Sequence, residues 1–154
     1  MEHALTTLAI YALPIFLTLT LPIALQAFVA NHLGDPSPRL AGRLSWDPVR
    51  HMDVLGTVVL PGLFLLMSGG MGLGLLIGWA KPLELDMRRY RSRAALFMVE
   101  STLFAGPLLM AVVWVLGLKL LTYAGVDEPF VAKVATAGAN VGLSFFAIAL
   151  LPFP

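Results

Sequence analysis

The sequence predicts an all-α integral membrane protein of three transmembrane helices, with a re-entrant hairpin or a fourth span at 54–80 and short interfacial loop or strand segments between them. Three observations predict it. Hydrophobic residues make up 58% of the 154 and charged residues only 12%, whereas a soluble domain carries about 25% charged residues. Mean hydropathy is +0.86. Four charge-poor runs cover Ala4 to Ala30, Val54 to Ala80, Ser101 to Leu118 and Val134 to Pro154. Each is near or above the roughly 18 to 20 residues that cross a hydrocarbon core about 30 Å thick. The chain is expected to form a single membrane domain, 1–154.

The first helix is expected over about 4–33. Gly34 suits its C-cap, and Pro36 prevents the helix from resuming. Glu2 and His3 precede an uncharged run longer than a secretory signal, without a basic n-region, so this helix is expected to be retained. Residues 34–53 form an interfacial loop. Trp46 stands there beside the Asp47-Pro48 turn signal, in a segment that is extended or amphipathic at the headgroup level. In 54–80, Pro61-Gly62 and Ser68-Gly69-Gly70 can each turn the chain. Gly70, Gly74 and Gly78 recur every four residues and would make one small-residue ridge, through which membrane helices approach closely. A basic loop, 81–93, includes the alternating Pro82-Leu83-Glu84-Leu85, which suggests an interfacial strand or loop. Helices follow over about 94–121 and 131–151, separated by a polar turn at 124–129.

Charge placement bears on hairpin against span. Basic residues concentrate on the cytoplasmic side of membrane proteins. A hairpin puts the 32–53 and 81–93 loops on one side with eight of the ten Lys and Arg, leaving Lys119 and Lys133 for the other. A span divides the ten evenly. The hairpin is favoured, with the N-terminus outside, the basic loops cytoplasmic, and a bacterial inner membrane as the location. Net charge is +1 and no tract is polybasic, so the lipid bilayer is the expected environment and nucleic acid is not an expected partner. The absence of cysteine excludes disulfides and thiolate metal sites.

The stretch Leu21-Pro22-Ile23-Ala24-Leu25-Gln26-Ala27-Phe28-Val29-Ala30-Asn31-His32-Leu33-Gly34-Asp35-Pro36 resembles the L-H-E-A-A-H-G-Y-V-A-x-x-L-G-D-P segment of the site-2 protease family of intramembrane zinc metalloproteases. Further matches follow in order. They are Gly42-Arg43-Leu44-Ser45-Trp46-Asp47-Pro48, Arg50-His51-Met52-Asp53, Gly56-Thr57 through Pro61, Gly78-Trp79-Ala80-Lys81-Pro82, Ala105-Gly106-Pro107 and Leu150-Leu151-Pro152-Phe153-Pro154. Together they cover nearly the whole chain.

The same resemblance implies that the protease chemistry is lost. Family members use the two His of H-E-x-x-H as zinc ligands and the Glu as general base. Pro22, Ile23 and Gln26 stand at those positions. Proline and isoleucine offer no donor, and a lone glutamine carbonyl is a poor zinc ligand. The family's third ligand, an Asp beyond the final L-P-x-P, has no counterpart within the 154 residues. Two family asparagines correspond to Met110 and Ala149. A degenerate, non-catalytic member follows, with no zinc or other cofactor expected.

Other constellations are weaker. His51-Met52-Asp53 pairs a His with a carboxylate, but the family has the same H-x-D outside its zinc site, so a structural role is expected. Ser68, Ser101 and Ser144 have no neighbouring His. Glu100, an acid within a membrane helix, is a functional candidate by default. Its expected role is to reach back to Arg93 or Arg89, or to meet a partner. Asn140 lies in the frame Gly138-Ala139-Asn140-Val141-Gly142, which suits close packing and an interhelical amide hydrogen bond, inside the chain or to another subunit.

The expected function is a pseudoprotease scaffold: an accessory subunit, or an assembly or regulatory factor, in a larger complex with other integral membrane proteins. Gly70, Gly74, Gly78, Gly138, Asn140, Gly142 and Glu100 are its candidate packing and partner contacts. The alternatives are an unorthodox intramembrane protease, or a channel or transport component using Glu100.

Overall fold

The computed structural model describes residues 2–67, 77–126 and 128–150. The protein is all-helical among these residues, in the order α1 (Glu2–His32), α2 (Ser37–Leu40), a 3-10 turn (Pro48–His51), a π-helical turn (Val54–Val59) that runs into α3 (Leu60–Met67), a second 3-10 turn (Met87–Arg89), α4 (Arg93–Tyr123) and α5 (Pro129–Ala149). Three helices are long and apolar enough to cross a membrane: α1 from Leu5 to His32, α4 and α5. The protein is an integral membrane protein.

Local chemistry sets the helix ends. At the end of α1, Gly34 takes φ +101°, and the amide of Asp35 donates to the Ala30 carbonyl at 3.0 Å. A left-handed residue of this kind closes a helix, and glycine adopts it without Cβ strain. Ser92 caps α4 by accepting from the Ala95 amide at 3.1 Å. Pro129 opens α5, where its missing N–H leaves no helical bond unmade. Pro14 and Pro22 lie inside α1, and Pro107 lies inside α4. Each denies an amide hydrogen to the carbonyl four residues earlier.

The three long helices pack as one bundle. Val99 of α4 clusters with Ala30 of α1, and farther along α4 Gly106 abuts Pro22, so α1 and α4 are antiparallel. Residues Thr6 to Tyr11 of α1 line a pocket with Ala132 to Asn140 of α5, so these two helices run parallel. A core of Ile15, Leu65, Val141 and Phe145 joins α1, α3 and α5. Phe97, Leu109, Val113, Leu116 and Leu120 of α4 are exposed, as suits a lipid-facing side.

The segment 54–80 enters and leaves at one end of this bundle. The Trp79 amide donates to the Gly56 carbonyl at 3.1 Å, and the Lys81 amide donates to the His51 carbonyl at 2.9 Å. The Thr57 hydroxyl donates to the Trp79 carbonyl at 2.9 Å. Residues 54–67 are 14 in number, which extends to roughly 21 Å at 1.5 Å per residue, short of the hydrocarbon thickness. This side-by-side placement of the two described ends, 54–67 and 77–80, fits a hairpin. It gathers both basic loops, with eight of the ten Lys and Arg, at the end where α1 finishes and α4 begins.

Two open readings become definite, and one expectation, on Gly78, needs correction. Of the strand and the loop that 81–93 allowed, the loop forms, with a 3-10 turn at Met87–Arg89 and the Asp86 amide taken by the Asp35 carboxylate at 2.9 Å. The 34–53 loop is organised by α2 and a 3-10 turn, with Trp46 stacked on Phe28 of α1 at 4.7 Å between ring centroids. Gly78 lies outside any helix, so it does not continue a helical ridge. Gly70 and Gly74, like the match at 151–154, lie outside the described residues.

Candidate functional site

The sequence positions singled out on α1 line a cavity of about 610 Å³ between α1, α4, the end of α5 and the returning strip after Gly78. Pro22, Ile23 and Gln26 form one wall with Thr18, while Glu100, Leu103 and Pro107 of α4 form another. Ala149 closes the cavity from α5, and Gly78 and Trp79 close it from the hairpin. Met110 is not among the lining residues. The fold therefore brings together Pro22, Ile23 and Gln26 with Ala149, Gly78 and Glu100, which are widely separated in sequence.

These walls suit apolar matter and hydrogen-bond donors better than a divalent metal. Pro22 and Ile23 carry no donor atom. The Gln26 amide makes a long 3.5 Å contact to the Val99 carbonyl. Among the described residues, no three His, Asp or Glu side chains are grouped so as to hold a metal ion. The donor set of Pro22, Ile23 and Gln26 does not fit zinc, which takes imidazole, thiolate or carboxylate ligands.

Glu100 does not make the expected pairs. Arg89 binds Asp86 instead, at 3.1 Å, because a neighbour three residues away within a tight turn is closer than a side chain two helical turns up. Glu100 is exposed and has no ion pair among the described residues. The glycines of α5 face inward. A Cβ on Gly142 would lie 2.6 Å from the Pro107 carbonyl oxygen, and one on Gly138 would overlap the Trp114 ring. Asn140, about 200° around the helix from each, is exposed and lines a second pocket with Tyr11, Thr136 and Lys133. The G-x-x-x-G frame thus serves internal packing, while its asparagine faces out.

Two polar knots hold the loops beneath the cavity. Asp35, fully buried, accepts from the Ser37 amide at 2.9 Å, the Asp86 amide at 2.9 Å and the Tyr90 hydroxyl at 3.0 Å. Burial alone would raise its pKa, but the bonds from Ser37, Asp86 and Tyr90 together hold it below the ordinary value. Burial, then the hydrogen bond to Asp35, raises the Tyr90 phenol.

His51, also fully buried, has its Nε2 2.9 Å from the Ser45 carbonyl and its Nδ1 3.3 Å from Arg43. The carbonyl requires the proton on Nε2, so Arg43 donates to Nδ1. Arg43 also donates to the Lys81 carbonyl at 2.9 Å. Asp53 accepts from the Gly56 amide at 2.7 Å, so the His51-Met52-Asp53 pair is split between two structural jobs.

Burial, with a smaller contribution from Arg43, lowers the His51 pKa from 6.5. A group with a depressed pKa binds more protons unfolded than folded, so folding stability declines as pH falls below the unfolded value. Thermal unfolding between about pH 8 and about pH 5 should show stability falling from about pH 6.5 downward, with the Asp35 contribution lost only at more acidic pH. A flat profile over that range would show that His51 is not held neutral.

Sequence reasoning missed Thr18, Gly106 and the Asp35 to Tyr90 bond. A hydroxyl residue four positions before a helical proline was the available signal for Thr18. Gly106, whose Cβ would meet Pro22 Cγ at 2.8 Å, was signalled only by its place beside Pro107. Nothing local in the sequence pairs residue 35 with residue 90.

No family model matches the chain, and no solved structure matches it. A curated protein does: "Putative zinc metalloprotease YwhC" of Bacillus subtilis (strain 168) is 25% identical over 163 aligned positions, which cover 99% of this chain and 67% of that protein. The chain is a distant relative of a protein so named.

Proposed function

We propose that the chain is a non-catalytic, site-2 protease-like membrane scaffold, acting as an accessory subunit or an assembly or regulatory factor, and that its central cavity holds part of another integral membrane protein. The observation that carries this reading is the cavity wall itself. Pro22, Ile23 and Gln26, which the resemblance sets at the H-E-x-x-H positions, line one open cavity together with Ala149. Catalysis by the family's route needs two imidazoles and a carboxylate there, and none of the three is present.

Purified protein, prepared without chelator in buffer containing zinc, should retain far less than one zinc per chain by elemental analysis. Stoichiometric zinc would overturn the proposal in favour of an unorthodox protease.

The proposal places the protein in a bacterial inner membrane, with its N-terminus outside and its basic loops in the cytoplasm. Eight of ten Lys and Arg at one end of the bundle support that orientation. Because the native chain has no cysteine, single substitutions can map it. Arg88→Cys should react with a membrane-impermeant maleimide only in inverted vesicles, and Gly125→Cys only in intact cells stripped of their outer barrier. The opposite labelling pattern would reverse the orientation.

A further inference from the structure

The cavity wall carries polar groups that lack their usual helical partners. Thr18 is 1% exposed, yet its hydroxyl has no hydrogen-bond partner among the described residues. Thr20, Thr122, Thr136 and Ser144 instead return theirs to the carbonyl four residues back. The Thr18 carbonyl is also deprived, because its helical partner is Pro22, which has no N–H. Pro107 does the same to the Leu103 carbonyl. Thr18 and Leu103 both line the cavity with Glu100.

The cavity therefore holds a carboxylate, two carbonyls that lack their helical donor and one buried hydroxyl, beside Gln26 and Trp79 and among apolar residues that include Ile23, Leu83, Phe104 and Phe145. Glu100 stands two helical turns inside α4, about 10 Å from its first residue at 1.5 Å per residue. An unpaired carboxylate that lines a mostly apolar cavity on a membrane helix draws a counter-charge. Arg89 is engaged by Asp86.

We propose that the cavity is filled by a transmembrane helix of a partner membrane protein that carries a Lys or Arg at the depth of Glu100. The inference rests on the scaffold reading and specifies its partner by chemistry. The basic side chain donates to the Glu100 carboxylate, while the apolar body of the helix lies along the wall from Gln26 to Thr18, about 12 Å over eight residues. A small hydrated cation could satisfy the carboxylate, but it would leave the apolar walls without a partner.

The probes are synthetic Leu/Ala transmembrane peptides with one Lys, Leu or Glu placed two turns from the end that lies beside the basic loops. The peptides carry an acceptor fluorophore, and the full-length protein carries a donor at Arg88→Cys. Affinities are read by energy transfer in phosphatidylcholine vesicles. The Lys peptide should bind about tenfold more tightly than the Leu peptide or better, on the scale of close charge pairs at interfaces. Glu100→Gln should bring the Lys peptide down to the Leu level and leave the Leu peptide unchanged. Glu100→Lys should transfer the preference to the Glu peptide, a gain that misfolding could not produce.

Equal binding of the Lys and Leu peptides overturns the inference and leaves the scaffold reading intact. Binding of no peptide overturns both. A Lys preference that survives Glu100→Gln places the basic group elsewhere and also overturns the inference.

Discussion

Asp35→Ala should be the most damaging single polar change outside the bundle core, with an expected loss of roughly 3–5 kcal/mol of folding stability. Its carboxylate is fully buried and accepts three hydrogen bonds, from Ser37, Asp86 and Tyr90. Alanine removes the acceptor and leaves three donors, of which the Tyr90 hydroxyl is buried. Leaving buried donors unpaired costs more than the bonds contribute when made, because the groups have been taken from water and given nothing in return.

The damage should also be structural. Asp35 joins the end of α1 to the strip that leads into α4, so its loss frees the basic loop that closes one side of the cavity. Thermal unfolding in detergent should show a drop on the order of 10 °C, and proteolysis should newly cut within 81–92. Asp35→Asn, which keeps the shape and one acceptor oxygen but loses the charge, should fall between alanine and the native residue. An Asp35→Ala protein that melts with the native one would show that the three bonds contribute nothing net.

Gly142→Leu should abolish the native packing of α4 and α5. Even a Cβ at this position would lie 2.6 Å from the Pro107 carbonyl oxygen and 2.8 Å from the Ala111 amide nitrogen. Both are backbone atoms of a helix, so relief requires the whole of α4 to move. Gly142→Ala alone should cost about 1–3 kcal/mol, the usual range for overpacking a close contact, and the leucine more.

Two comparisons make this test sharp. Gly117→Ala, on the same α4 but with nothing within 4 Å of the new methyl, should be neutral or slightly stabilising, since alanine loses less backbone freedom in a helix than glycine. Asn140→Leu, two residues before Gly142 on an exposed face, should leave thermal stability unchanged. If Gly142→Ala and Asn140→Leu destabilise equally, the division of α5 into an inner glycine face and an outer asparagine face is wrong.

Much of the architecture was legible in the residues, because the requirements of a membrane are strong and local. A run of some twenty apolar residues must be helical in lipid so that its backbone groups pair within the segment. Gly34 must end α1, and Pro129 can only open α5. The clustering of basic residues at 39–50 and 81–93 anticipated that these loops share one end. Between the strand and the loop that 81–93 allowed, a non-local contact favoured the loop. The alternation of Pro82-Leu83-Glu84-Leu85 is compatible with a strand, but a strand needs a partner backbone, and the Asp86 amide is claimed by Asp35, fifty-one residues away. The pairing of Glu100 with Arg89 failed similarly, to Asp86 three residues from the arginine.

The sequence by itself determined that this is a helical membrane protein with Pro22, Ile23 and Gln26 where its resemblance calls for zinc ligands and a base, since composition and residue identity require no folding to be known. Tertiary structure decided what those residues now do. It placed Gln26, Glu100, Trp79 and Ala149 around one cavity, turned Gly138 and Gly142 inward and Asn140 outward, and left the Thr18 hydroxyl without a partner among the described residues. Helical periodicity orders residues around one axis but does not say which neighbour each face meets. That choice is made only when three helices and a returning segment compete for the same close contacts.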